Sequence, residues 1–194
     1  MKIYLKEKNG LLKLFEGDLT AELKQRQIII GEWAIIGEGV IIGEGANIGA
    51  LARIGEEARI GEGVIIGEWA RIGALANIGE EAIIGEGARI GERANIGERA
   101  SIGEEASIGA LANIGKGASI TMTYECIVLG PLGSRSAMMT AYVLNEIIQI
   151  GAGCFLDSIE KFESQVKEVH AGTRHEKEYL AALDYVRAKF AIKP

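Results

Sequence analysis

Residues 42–60 have the sequence IGEGANIGALARIGEEARI, in which isoleucine returns at every sixth position. The spacing runs without a gap from Ile30 to Ile120, and a glycine follows each isoleucine from Gly31 to Gly115. Four residues after each isoleucine from 30 to 114 stands alanine, or valine at Val40 and Val64. A period of six fits neither an amphipathic helix nor a coiled coil, so it indicates another kind of internal repeat.

The repeat unit is best explained as a short strand followed by a turn. Side chains alternate between the two faces of a strand, which places Ala34 and Ile36 on one side and Ile35 on the other. Glycine after each isoleucine lets the backbone bend without a Cβ clash. A chain that turns every six residues closes a triangle, and stacked triangles pair about 4.8 Å apart. The sequence therefore predicts a parallel β-helix with alanine and isoleucine inside.

The unit I-G-E-G-A-x resembles the hexapeptide repeat of left-handed parallel β-helices, known from bacterial acyltransferases and γ-class carbonic anhydrases. The resemblance covers Ile28 to about Ile120 and implies a left-handed solenoid of about five triangular coils. Between these residues the sequence has no Asp, Thr, Pro, Cys, His, Phe or Tyr, and a single Lys. This regularity favours an idealised or designed member of the family. A young natural tandem duplication is the alternative.

We predict a mainly β protein in three parts, with an N-terminal hairpin cap over 1–27, the β-helix over 28–120 and an α+β cap over 121–194. Asn9-Gly10 is typical of a hairpin turn between two alternating segments, and 18–27 is a candidate short helix. In the C-terminal part, strands are expected over 121–130, 137–144 and 147–155. Two helices should follow, the first capped by Asp157 and the second by Thr173.

Composition limits the possible partners. The net charge of −6 argues against a nucleic-acid partner held through its phosphates. No run of 18 apolar residues occurs and the N-terminus does not resemble a signal peptide, so we expect no membrane association and a cytoplasmic location. In that compartment Cys126 and Cys154 are expected to be two buried or half-buried thiols rather than a disulfide.

Outward-facing positions form columns that repeat every eighteen residues. Asn77, Asn95 and Asn113 fall in one such column and are expected to bond side chain to side chain. Apolar residues form a strip at and beside one corner, which is a candidate interface because contiguous exposed apolar patches usually mark a contact. We call these residues the apolar strip: Trp33, Leu51, Trp69, Ile65 and Ile83. Either the terminal segments of the chain cover it, or a second copy does, as in the homotrimers that the resemblance implies.

The repeat lacks the catalytic and metal-binding histidines of the enzymes that it resembles. Hexapeptide acyltransferases use a histidine base, and γ-class carbonic anhydrases hold zinc with histidines, but the repeat contains no histidine. The two histidines, His170 and His175, belong to the C-terminal helices. A nucleophile pair of Cys154 and His170 is conceivable but lacks a local signature, and packing at the helix end is the simpler interpretation. His170, His175 and the nearby Glu176 could hold a metal, but their spacing is not a metal-ligand motif.

We therefore expect no catalytic, cofactor or metal site and no small-molecule substrate. The predicted role is a structural scaffold or self-assembling solenoid, and not an enzyme. One alternative is an acyltransferase-like enzyme whose site uses other residues. The second is a protein-binding module that works through the apolar strip.

Overall fold

The computed structural model describes residues 2–6, 12–121 and 126–191, and its largest part is a solenoid of short parallel strands. Strands three places apart in sequence pair with each other, so that Arg71 lies beside Arg89 and Asn77 beside Asn95. One coil therefore takes eighteen residues and has three corners. The predicted fold class, a hexapeptide-repeat β-solenoid of about five coils with a small α and β region after it, is confirmed.

All strands of the solenoid are two residues long except one of three, which is Val40–Ile42. In chain order they are β3 (Ile29–Ile30), β4 (Ile35–Ile36), β5 (Val40–Ile42), β6 (Asn47–Ile48), β7 (Arg53–Ile54), β8 (Arg59–Ile60), β9 (Ile65–Ile66), β10 (Arg71–Ile72), β11 (Asn77–Ile78), β12 (Ile83–Ile84), β13 (Arg89–Ile90), β14 (Asn95–Ile96), β15 (Ser101–Ile102), β16 (Ser107–Ile108), β17 (Asn113–Ile114) and β18 (Ser119–Ile120).

The three faces of the solenoid are three parallel sheets. One contains β3 and every third strand to β18, and the second contains β4 and every third strand to β16. In the third sheet, which runs from β5 to β17, two N-terminal strands extend the edge: β1 (Lys2–Lys6) pairs with β5 in parallel and with β2 (Leu12–Glu16) antiparallel. The proposed turn at Asn9-Gly10 lies outside the described residues. A short helix, α1 (Thr20–Gln25), leads into the first coil.

The core of the solenoid consists of the repeated alanine and isoleucine side chains. Ile66, Ala70 and Ile78, for example, are no more than 1% exposed. Removal of isoleucine side chains from water is the main favourable term in such a fold, at about 1.5–3 kcal/mol for each fully buried side chain. No helix among the described residues is both long and apolar enough to cross a bilayer.

The glycine after each isoleucine was expected to let the backbone bend, but its role in the structure is different. Positive φ, the conformation that favours glycine, falls two residues later, on Trp33 (61°), Glu57 (55°) and Leu75 (59°) among others. The glycine after isoleucine is needed because the coils stack closely. A Cβ built on Gly73 would lie 2.5 Å from the backbone nitrogen of Glu92 in the next coil. Close approach of two backbones therefore explains this glycine.

After the last coil comes an antiparallel sheet of four strands with two helices on one face. The strands are β19 (Cys126–Leu132), β20 (Ala137–Leu144), β21 (Ile147–Ala152) and β22 (Phe155–Ser158), and the helices are α2 (Ile159–Val169) and α3 (Arg174–Ala191). Tyr142 and Cys126 pack into the core of the solenoid, while Met139 and Ile150 face the helices. We call this unit the cap. The three domain boundaries given above stay predictions.

The N-cap of α2 differs from the prediction, whereas that of α3 agrees with it. The N-cap of α2 is Ser158, whose hydroxyl accepts from the N–H of Lys161, and Asp157 instead forms an ion pair with Lys161 at 2.8 Å. At α3, the Thr173 hydroxyl accepts from Glu176 N–H, as predicted, at 3.3 Å. The Glu176 carboxylate accepts from Gly172 N–H at 2.7 Å and so covers the preceding turn. Each helix start is thus satisfied by side-chain oxygens.

Candidate functional site

The cap contains a cavity of about 250 Å³. It lies at the end of the sheet where β20 begins and β21 ends, between the sheet, the C-terminal half of α2 and the start of α3. We call it the cap pocket. Its apolar lining includes Met139, Ala152, Phe155, Phe162, Val166 and Val169, and its polar lining consists of Ser134, Arg135, Cys154, Gln165, His170 and Tyr179. Concave sites with an apolar floor and a few polar groups are typical of small-molecule binding.

His170 occupies the C-cap of α2 and faces aromatic neighbours. Its N–H donates to the carbonyl of Val166 at 2.9 Å, which ends the helix and fixes the backbone. The centroid of its ring lies 5.6 Å from that of Tyr179, with an angle of 34° between the ring planes, and 6.0 Å from that of His175. The imidazole is half-buried at the pocket wall. A histidine held in this way can accept or donate a proton inside the pocket.

Tyr179 is held in place by a glycine on the loop between β19 and β20. A Cβ built on Gly133, where φ is 67°, would overlap the Tyr179 hydroxyl. Glu178 Oε2 accepts from Gly133 N–H at 3.1 Å and lies 3.5 Å from His175 Nδ1. Burial raises the pKa of Tyr179, the Glu178 charge raises it further, and the charge of Arg135 opposes them. Tyr179 therefore remains a hydroxyl donor at neutral pH.

Aromatic contacts shape the floor of the pocket. Phe162 meets Phe155 edge-to-face at 4.9 Å between ring centroids, and it meets Tyr179 edge-to-face at 5.5 Å. Phe162 is 6% exposed and Met139 is 1% exposed, so both belong to the core beneath the helices. Such a floor is stiff because edge-to-face pairs and core packing fix the rings.

The structure brings Cys154 and His170 together as lining residues of this pocket. Both cysteines are free thiols, but the expectation that both are buried or half-buried is wrong for Cys154, which is exposed in the turn between β21 and β22. Cys126 is buried at the junction of cap and solenoid, and burial raises its pKa to about 12. Cys126 is therefore an unreactive structural thiol at neutral pH.

The apolar strip lies on the solenoid, away from the cap pocket. Trp33 and Trp69 are 80% and 56% exposed, Ile65 and Ile83 are each 46% exposed, and Leu51 is half-buried. Because Trp33 and Trp69 occupy a corner, their rings project outward on a convex surface. The strip is thus an exposed apolar surface, and its role as an interface stays a prediction.

Two further features of the solenoid surface are structural. Asn77 Nδ2 donates to Asn95 Oδ1 at 2.8 Å and Asn95 Nδ2 donates to Asn113 Oδ1 at 3.0 Å, which confirms the predicted ladder. The exposed ion pair of Arg99 with Glu81, at 2.8 Å, joins the same corner of two successive coils and contributes little to stability. Within residues 2–6, 12–121 and 126–191, no group of three or more His, Cys, Asp or Glu side chains is arranged to hold a metal ion.

Comparison with known proteins identifies the repeat. Residues 39–74 match the family model described as bacterial transferase hexapeptide (six repeats). Comparison with curated proteins found no match. Together with the solenoid topology, this match supports the resemblance of the repeat to the hexapeptide-repeat family.

Three solved structures illustrate the similarity. The acetyltransferase domain of PglB from Neisseria gonorrhoeae is 23% identical, with a TM-score of 0.49, over 50% of this chain and 47% of that one. A mutant of perosamine N-acetyltransferase from Caulobacter crescentus, in complex with CoA and GDP-perosamine, is 29% identical, with a TM-score of 0.49, over 50% and 46%. UDP-N-acetylglucosamine acyltransferase from Francisella novicida is 29% identical, with a TM-score of 0.46, over 49% and 42%. The chain thus spans about half the length of each of these three structures.

The predictions of a structural scaffold and of no enzyme activity are therefore wrong. The family model that residues 39–74 match is described as one of bacterial transferases, which contradicts both predictions. Those predictions depended on the absence of histidine from the repeat, which removes a base only from the solenoid. The cap pocket was missed because its lining comes from separate segments between Ser134 and Tyr179, which no local motif connects.

Proposed function

We propose that this protein transfers an acyl group from a thioester donor to an oxygen or nitrogen nucleophile, and that the reaction takes place in the cap pocket. The observation that carries the proposal is the presence of His170, Cys154 and Tyr179 around one cavity with an apolar floor. Acyl transfer is the activity named for the aligned structures, and the family description is that of a transferase. The proposal adopts the acyltransferase-like alternative that the sequence left open.

The location follows from where the necessary side chains exist. Acyl transfer to a hydroxyl or amine needs a group that accepts the proton of the nucleophile, and histidine serves this purpose most often. The chain has two histidines, both in the cap, and none between Ile28 and Ile120. Of the two, His170 lines the cavity. A base at His170 is therefore the simplest way for this chain to perform the chemistry of its family.

The step uses few groups. The His170 imidazole accepts the proton of the acceptor O–H or N–H while the acceptor attacks the carbonyl carbon of the thioester. A new C–O or C–N bond forms, the C–S bond breaks, and the departing thiolate takes the proton from the imidazolium. The Tyr179 hydroxyl, which keeps its proton at neutral pH, supplies a donor for the oxygen that becomes negative during attack. Cys154 lines the same pocket.

A direct assay follows release of free thiol from a panel of acyl thioesters, with sugar and amine acceptors, by mass spectrometry of the product. We expect His170→Gln to lower the rate about 100-fold or more, because general-base catalysis typically supplies this much. His175→Gln is the matched control, since its ring does not line the pocket. Equal rates for wild type and H170Q, or no transfer by wild type with any donor, would reject the proposal.

We further propose that the apolar strip joins copies of this chain into a homo-oligomer. Support comes from the exposure of Trp33 and Trp69 on one corner, because a contiguous apolar surface is costly to leave in water. The homotrimers of the resembled families are the assembly this implies. Light scattering on a gel-filtration column should give a multiple of 20.7 kDa. The double variant Trp33→Ser, Trp69→Ser should give a monomer, and an unchanged mass would remove the strip as the interface.

The cytoplasmic location stays a proposal, supported by the sequence features given above. Designed origin likewise stays a prediction from the purity of the repeat. Neither is needed for the proposed reaction.

A further inference from the structure

We infer that the cap pocket binds an acyl chain of about four to eight carbons, with an anionic or carbonyl head group beside Arg135. The inference deepens the proposed acyl transfer and rests on it for the reaction, but the binding itself can be measured without turnover. The inference predicts that the site prefers acyl groups of intermediate length over acetyl groups and over long-chain acyl groups.

The size of the cavity sets the length of the chain. A water molecule takes about 30 Å³ in the liquid, so a cavity of about 250 Å³ holds about eight groups of that size. An acetyl group would leave most of the apolar lining without contact. A chain of sixteen carbons would have to leave the pocket and lie in water. Burial of each methylene contributes about 0.8 kcal/mol, so affinity should rise with length until the cavity is full.

The lining has the chemistry of an acyl site. Phe155, Phe162 and Met139 give the floor an apolar surface, and the edge-to-face ring contacts keep it from collapsing. Val169 lies at the mouth and is 62% exposed, so it marks the end of α2 where a chain would enter.

The charge at the mouth favours an anion. Arg135 is the one permanently charged side chain among the described residues that line the pocket, and it is exposed on the loop after β19. Among the ion pairs of the described residues, none involves Arg135. None of the described residues that line the cavity carries a carboxylate, which would repel an anion. A guanidinium presents paired donors that match a carboxylate, or the carbonyl oxygen of a thioester, so Arg135 is placed to hold the polar end of the chain.

The test is calorimetric titration of the whole protein with straight-chain carboxylates of two to sixteen carbons. We expect affinity to rise to six to eight carbons and then to level off or fall. Arg135→Gln should weaken every carboxylate about tenfold or more and leave hexanol and octanol unchanged, since it removes a charge-assisted hydrogen bond alone. Val169→Trp should shift the optimum to shorter chains, while Glu168→Trp, on the same helix outside the pocket, should not.

The outcomes separate the two proposals. Affinity that increases steadily to sixteen carbons, or that is unaffected by R135Q and V169W, indicates adsorption to the surface and overturns the inference. Binding with the expected optimum but without any thioester turnover keeps the inference and rejects the proposed acyl transfer. Turnover that is equal for two, eight and sixteen carbons keeps the transfer and rejects the inference.

Discussion

The Tyr142 hydroxyl accepts a hydrogen bond from the backbone N–H of Gly115 at 2.9 Å, directly after β17, the strand at the end of its sheet. The Thr140 hydroxyl does the same for Asn113 N–H, also at 2.9 Å. Two side chains of β20 thus take the place of a missing strand. Because an open β-helix end invites edge-to-edge association, these hydroxyls explain how the cap closes the solenoid.

Tyr142→Phe should lower the free energy of unfolding by about 1–3 kcal/mol, because it leaves the buried Gly115 N–H without an acceptor. Denaturant unfolding followed by circular dichroism measures this change. Tyr185→Phe is the control, since Tyr185 is 52% exposed and its hydroxyl has access to water. Equal stability of Y142F and wild type would mean that the cap closes the solenoid by apolar contact alone.

Gly73→Ala should destabilise the solenoid by about 3 kcal/mol, because the added Cβ would lie 2.5 Å from the backbone nitrogen of Glu92 and neither coil can move away. The comparison is Gly117→Ala, whose Cβ meets nothing within 4 Å and whose φ is 68°. The free energy of unfolding of that variant should fall by about 1–2 kcal/mol because of backbone strain alone. A smaller loss for G73A than for G117A would show that close stacking is not the reason for the repeated glycine.

Glu57→Gly should raise the free energy of unfolding by up to about 1 kcal/mol. Glu57 has φ of 55°, a conformation that is unfavourable by about 1–2 kcal/mol for a residue with a side chain. Glycine avoids that strain but loses about 0.5–1 kcal/mol of chain entropy. Glu56→Gly, at the neighbouring corner residue without positive φ, should destabilise instead. Thermal unfolding of the two variants, run side by side, gives the sign of each effect.

Stability should fall with rising pH above about 9 because of Cys126. Burial raises the pKa of this thiol from 9.0 to about 12, so the folded state holds the proton more tightly than the unfolded chain does. The contribution is fully present below pH 9 and is lost as the pH rises towards 12, by about 1.4 kcal/mol per pH unit. Cys126→Val should flatten the decline between pH 8 and 10.5. Burial also raises the pKa of Tyr142, with the same sign, so some decline persists.

The solenoid could be predicted from the sequence because the residues that determine it lie close together in the chain and recur at one spacing. Sixteen isoleucines at one spacing leave a single arrangement that buries them, and the Asn77, Asn95 and Asn113 ladder follows from the length of the coil. The role of the repeated glycine could not be predicted, because whether it serves a positive φ or a close contact depends on the distance between coils. The exact helix starts depended on competing side chains such as Ser158 and Asp157.

The cap pocket could not be predicted from the sequence, for a physical reason. Arg135, Cys154 and His170 belong to a loop, a strand turn and a helix end, and only the packing of α2 and α3 on the sheet brings them to one cavity. The sequence did indicate Cys154 and His170 as a conceivable pair, although the spacing of the two residues along the chain contains no signature. A pocket lined by such scattered residues becomes visible only when the tertiary structure is known.

The most direct test of the account is the release of free thiol from octanoyl thioester by wild type and by His170→Gln, each with an acceptor amine present. Wild type should release thiol and form the amide in equal amounts, and H170Q should do so about 100-fold more slowly or worse while keeping its affinity for octanoate. Equal rates for the two proteins, or no amide product from wild type with any donor of two to sixteen carbons, would contradict acyl transfer in the cap pocket.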